Sequence, residues 1–113
     1  MIDYLTTVAE ISKERRKYFD NYKHYAKLIK DAVNLENVEV GIFGSVIEDK
    51  HTMASDIDVL IISDDIPKKL DERAKILMEL SKVLGPFHPF ELHLITRREF
   101  EWYKIFIKNY VEI

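Results

Sequence analysis

The chain has no cysteine and no glutamine, only three glycines and three prolines in 113 residues, and no apolar run longer than Val59 to Ile62. Without cysteine there is no disulfide scaffold, no thiol nucleophile and no thiolate metal site. The short apolar runs fall far below a membrane span. Asp3 and Glu10 break the one stretch where a secretory signal could begin. Glycines at 41, 44 and 85 build neither a dinucleotide fingerprint nor a Walker loop. The balance of 17 basic against 20 acidic side chains, net −3, argues against a dedicated duplex-binding protein. Charge of both signs is abundant, at 33% of residues, and there are fourteen isoleucines. With the missing glutamine, that composition points to a heat-adapted, thermophile source. At this length one domain is expected, burying roughly two-thirds of the unfolded surface. The expectation is a single cytoplasmic domain over 1–113, a long helix over 1–35 preceding a core over 36–113.

Apolar side chains at Tyr4, Val8, Ile11, Tyr18, Tyr22, Tyr25, Ile29 and Val33 follow a helical stripe. They predict one helix over 4–34, with Thr7 and Glu10 spaced as a capping box and Arg15 as the one interruption. Its segment Lys13 to Lys30 carries seven Lys/Arg against Glu14 and Asp20, a solvated basic face. Val38 to Phe43 alternates as a strand, Gly44 and Ser45 break it, Val46 to Asp49 forms a brief turn, and His51 to Ser55 is loop. Ile57 to Ser63 is β-branched and reads as a central strand. Leu70, Ala74, Leu77, Leu80 and Leu84 predict a helix that Gly85-Pro86 ends. Phe90 to Thr96 reads as a third strand, and a capping box at Thr96 and Glu99 opens a last helix through Tyr110. Tyr18, Phe19, Tyr22, Tyr25, Trp102, Tyr103 and Phe106 read chiefly as core, with Phe19, off the main stripe, suited to a partner contact. The order of elements implies an α+β fold, a small sheet with helices packed on it.

Chemistry concentrates in Gly44-Ser45, ten further residues, then Asp56-Ile57-Asp58. Residues two apart on a strand share a face, so Asp56 and Asp58 should project side by side. Two bare carboxylates so close repel, and a divalent cation removes the conflict; hard oxygen donors suit magnesium or manganese. Gly44, lacking a Cβ, lets a ligand approach the backbone. Ser45 opens a turn whose N–H groups and hydroxyl suit phosphate oxygens. A phosphate clamp beside paired acids suits phosphoryl or nucleotidyl chemistry. Glu91, the one acid in the third strand, is the expected third carboxylate, with His93 on its face as a base or a hydrogen-bonded neighbour. His88, Glu91 and His93 form an alternative zinc-like set. Lys50 and His51 read as solvated loop residues.

With this spacing the chain resembles the minimal nucleotidyltransferases of the DNA polymerase beta superfamily, whose signature is Gly-Ser followed at the same interval by Asp-x-Asp. The resemblance covers about residues 36–110. It implies a polymerase-beta-like mixed sheet with helices, a nucleoside triphosphate substrate such as ATP, and two Mg2+ ions, with Mn2+ as a substitute. Carried over by position, Gly44 and Ser45 would hold the nucleotide, Asp56 and Asp58 both metals, and Glu91 the catalytic one. The implied reaction, of the EC 2.7.7 type, moves AMP to an acceptor hydroxyl, nucleic acid entering only as acceptor. The implied partner is a small helical HEPN-type protein, with this chain as antitoxin of a toxin–antitoxin pair; a chain this short is also expected to complete its pocket with a second copy or a partner, through the long N-terminal helix. Where such enzymes follow Gly-Ser with a small residue, an arginine and a glycine, this chain has Ile47, Glu48 and Asp49. Glu48 reverses the charge beside the expected triphosphate and favours, as an alternative, a weakly active or inactive module that binds a partner by occlusion.

Overall fold

A computed structural model of the chain describes residues 4–52 and 54–113, so residues 1–3 of the expected N-terminal helix lie outside the described residues. Its elements are α1 (Tyr4–Asp20), α2 (Tyr22–Ala32), β1 (Glu39–Phe43), β2 (Ile57–Ile62), α3 (Leu70–Leu84), β3 (Phe90–Ile95), α4 (Arg97–Tyr103) and β4 (Tyr110–Glu112). The strands form one mixed sheet in the order β3-β2-β1-β4. β1 is antiparallel to β2 and to β4, while β2 and β3 are parallel and joined by the α3 crossover. This is the expected α+β architecture, a small mixed sheet with helices packed on it.

Side-chain alternation gives the sheet two unlike faces. One carries Val40, Ile42, Ile57, Val59, Ile61, Phe90 and Leu94, all buried together with Phe19, Ala26, Ile29, Leu80 and Leu84 from the helices. The other carries Leu60, Ile62 and Ile95 under Phe100, Tyr103, Ile107 and Tyr110. Tyr110 lies on Gly41, where any Cβ would sit 2.1 Å from its ring, and its hydroxyl donates to Glu39 Oε2 at 2.8 Å. Burial, and after it the Glu39 carboxylate, push that hydroxyl far above the usual tyrosine range.

Several expectations are corrected. The single helix over 4–34 is two, broken at Asn21 (φ −126°, ψ 31°). The Asn21 side-chain amide donates to the Lys17 carbonyl at 2.9 Å, taking the acceptor that a continuing helix would give to the backbone. Thr7 and Glu10 lie inside α1 rather than at its start. Tyr4 (77% exposed) and Val8 (41%) are not core, because the first half of α1 projects from the domain. The radius of gyration, 15.1 Å, accordingly exceeds the ~13 Å of a compact domain of this size. In α3 the sheet-facing set is Ile76, Leu77, Leu80 and Leu84, and Leu70 is exposed.

At the C-terminal end, the capping box at Thr96 and Glu99 forms as expected. The helix it opens stops at Tyr103, and Tyr110–Glu112 pairs with Gly41–Phe43 as β4. Trp102 sits on the outer side of that helix, away from Phe100 and Tyr103, and Phe106 lies beyond its end; they are 61% and 68% exposed. Phe19 is buried instead of partner-facing, its ring stacked on His51.

Candidate active site

The parallel register of β2 and β3 places Asp58 directly opposite Glu91, and the antiparallel register of β1 and β2 places Phe43 opposite Asp58. All three lie on the sheet face that α4 covers only in part. His93, two residues beyond Glu91 on the same face, brings Nε2 to 3.4 Å from Asp58 Oδ1 and 3.9 Å from Glu91 Oε1. One ligand atom each from Asp58, Glu91 and His93 fits within a 4.8 Å cluster. The His93 ring is supported by Phe43 and Tyr103 at centroid distances of 5.7 and 6.2 Å. Asp58 and His93 are half-buried, whereas Glu91 is the most open of the three.

The Gly44-Ser45 turn abuts this cluster. Gly44 adopts φ +89°, and a Cβ built there would stand 2.6 Å from Asp58 Oδ2. Glycine is required on both counts, since the backbone is left-handed and the carboxylate occupies the side-chain space. The Gly44 carbonyl accepts from the amides of Ile47 and Glu48 at 3.1 and 3.2 Å, and the Ser45 carbonyl from Lys50 N–H at 2.9 Å. That bonding folds residues 45–49 into the expected brief turn. Among the described residues, the amides of Ser45 and Val46 and the Ser45 hydroxyl have no protein partner. They are donors at the start of a turn, which is where an anion is best received.

Asp56 stands one residue ahead of β2, exposed, and its carboxylate has no hydrogen-bond or ion-pair partner among the described residues. The structure thus gathers Gly44, Ser45, Asp58 and Glu91 at one end of the strands, with Asp56 just ahead of β2. Among the described residues no lysine or arginine pairs with Asp56, Asp58 or Glu91. Clustered carboxylates without a cationic side chain, beside a glycine that keeps the space in front of Asp58 clear, fit a divalent cation by charge and by donor type. The sequence placed His93 on this face as a base or hydrogen-bonded neighbour, by its i, i+2 spacing from Glu91, but not as a third member of the cluster with Asp58. His88 belongs elsewhere. Its Nδ1 accepts from Phe90 N–H at 3.1 Å and its Nε2 lies 3.2 Å from Ser81 Oγ, so the set His88, Glu91 and His93 does not assemble. Glu48 faces a groove of about 340 Å3 beside Gly44, with Lys50, Phe106, Lys108 and Asn109, and accepts from Asn109 Nδ2 at 3.5 Å.

Comparison with known proteins bears on the family and the fold. No curated protein gives a significant match. The crystal structure of a proposed nucleotidyltransferase is 29% identical, with a TM-score of 0.61 over 82% of this chain and 97% of that one. A second, from Sulfolobus solfataricus, is 19% identical with a TM-score of 0.53 over 90% and 84%, and it shares the fold alone. The family model for the nucleotidyltransferase domain matches residues 23–112, from α2 to the last strand. With the glycine-serine turn and the opposed acids inside that span, the chain belongs to the nucleotidyltransferase domain family.

Proposed function

We propose that the protein transfers a nucleoside monophosphate, AMP from ATP in the first instance, to an acceptor hydroxyl in a Mg2+-dependent reaction. The observation that carries this reading is the convergence of Asp58, Glu91 and His93 within 4.8 Å, beside a turn with unpartnered amides. Asp56, Asp58 and Glu91 would hold the magnesium, or manganese in its place, with His93 steadying Asp58 and Glu91. A divalent cation bound there supplies charge neutralisation for the α-phosphoryl group and the departing pyrophosphate. The Ser45 and Val46 N–H groups and the Ser45 hydroxyl bind phosphate oxygens. Glu91, more open than Asp58, accepts the proton of the acceptor hydroxyl as its oxygen bonds to the α-phosphorus and the bond to pyrophosphate breaks.

A cytoplasmic role is consistent with the described helices, none of which is long and apolar enough to cross a membrane. A second copy of the chain, or a small helical partner of the HEPN type with this chain as antitoxin, would cover exposed apolar residues. Those are Tyr4, Leu5 and Val8 on α1 and Trp102, Ile105 and Phe106 beyond the site. One observation favours a second reading, a weakly active module acting by occlusion: Glu48 places a carboxylate in the groove next to Gly44.

Incubating the protein, alone and with any co-purified partner, with Mg2+ and α-labelled ATP tests the choice. Label on an acceptor hydroxyl, lost in Asp58→Asn, is the expected result. No label on any acceptor, together with equal MgATP binding by wild type and Asp58→Asn, overturns transfer. Partner neutralisation retained by Asp58→Asn then identifies the occluding module.

A further inference from the structure

Arg15 interrupts the apolar stripe of α1, and α1 lies outside the segment that matches the nucleotidyltransferase family. The side chain does not turn to solvent. Its Nη2 donates to the Ser55 carbonyl at 2.7 Å, a part-buried bond spanning 40 residues. Its guanidinium also lies over the Phe19 ring, 5.9 Å from the centroid, and Phe19 stacks on His51 at 5.0 Å with 6° between the planes. Two contacts from α1 thus hold the loop between the two halves of the motif, one near its beginning and one at its end.

The loop is closed on itself as well. Thr52 N–H donates to Ser55 Oγ at 2.9 Å, and Ser55 N–H to the Thr52 carbonyl at 3.0 Å. On the far side of Asp56, the Ile57 N–H donates to the Pro89 carbonyl at 2.8 Å. The backbone is therefore fixed immediately before and immediately after Asp56, while its carboxylate has no partner among the described residues. An exposed acid ahead of a strand would otherwise sample many positions.

We propose that Arg15 is a positioning residue: through the Ser55 carbonyl, and together with the Phe19–His51 stack, it sets where the Asp56 carboxylate stands relative to Asp58 and Glu91. This rests on the reading of Asp56 as a cation-holding acid. A carbonyl held by a guanidinium is a charge-assisted bond, short and directional, and suited to registering one segment against another. The N-terminal helix thereby becomes part of the site rather than an appendage to it.

Mn2+ titration of the full chain, followed by water-proton relaxation, reads cation affinity without turnover, and amide hydrogen exchange reads the loop. In Arg15→Met, which keeps an apolar stem against Phe19, exchange at residues 50–52 and 54–56 should rise roughly tenfold, with Val59–Ile62 unchanged. Mn2+ affinity should fall by roughly tenfold. Arg15→Lys, which retains a cationic donor, should recover most of that affinity and serves if Arg15→Met does not fold. Unchanged loop exchange in Arg15→Met overturns the proposal. So does unchanged Mn2+ affinity in Arg15→Met when Asp56→Asn loses it, a result that leaves the proposed function standing. Unchanged affinity in Asp56→Asn overturns the assignment of Asp56 itself, and the positioning role with it.

Discussion

Strand β2 presents two surfaces to two different environments. Toward α2 and α3 it offers Ile57, Val59 and Ile61, all without solvent exposure. Toward α4 it offers Asp58, Leu60 and Ile62, of which only the last two are covered. The difference comes from the cover rather than the strand. On one face two helices of 11 and 15 residues lie across the sheet; on the other, a seven-residue helix and a turn cover Leu60, Ile62 and Ile95 toward the C-terminal ends of β2 and β3. Uncovered sheet surface is where backbone is rigid and water is present, and a cluster of acids is tolerated there without being buried uncompensated. The same strand thus anchors the fold on one side and carries chemistry on the other.

The sharpest break in that comparison comes from exchanging one residue on each face. Ile61→Ala should cost about 2–5 kcal/mol of stability, from lost transfer energy plus a cavity, yet leave the activity of the remaining folded protein intact. Asp58→Asn should do the reverse, reducing nucleotidyl transfer by at least about a hundredfold and changing unfolding free energy by less than about 1 kcal/mol. Thermal melts and α-label transfer on the same samples check both.

Gly44→Ala acts on both sides of the division and should have a smaller effect. Left-handed backbone and the Asp58 carboxylate both oppose a Cβ there. A stability loss of about 1–2 kcal/mol is expected, together with weakened Mn2+ binding by calorimetry as Asp58 is displaced.

The smallest effect is confined to the covered face. Burial lowers the His88 pKa below 6.5, and its Nδ1 must stay unprotonated to accept from Phe90 N–H. The unfolded chain therefore takes up a proton first as pH falls. The contribution of a neutral His88 is complete above about pH 6.5 and declines below it. Denaturant titrations should show a shallower acid-side slope in His88→Gln, with the Mn2+ affinity at neutral pH unaltered.

Much of this division was legible in the sequence. Alternation in Ile57–Ile62 placed Asp58 opposite the aliphatic side, and the single acid in Phe90–Ile95 singled out Glu91. Thr96 and Glu99 announced α4. The rest depended on pairing and cover. Asn21 looks like any polar residue on a helix until its amide takes the Lys17 carbonyl. β4 has only three residues, too few for a period-2 signal, and exists because the edge of β1 is open to Gly41–Phe43 pairing. Trp102 and Phe106 read as core from their apolar character alone; Trp102 falls on the outer side of α4 and Phe106 beyond its end, which composition does not encode. Arg15 was visible as an anomaly, but its partner lies in a loop whose position no periodicity encodes.

The parallel pairing of β2 with β3 has a kinetic consequence. Such strands cannot zip up from a hairpin; they align only after the intervening α3 has wrapped around. Asp58 and Glu91, roughly a third of the chain apart, thus form a contact of high sequence separation, of the kind that slows folding.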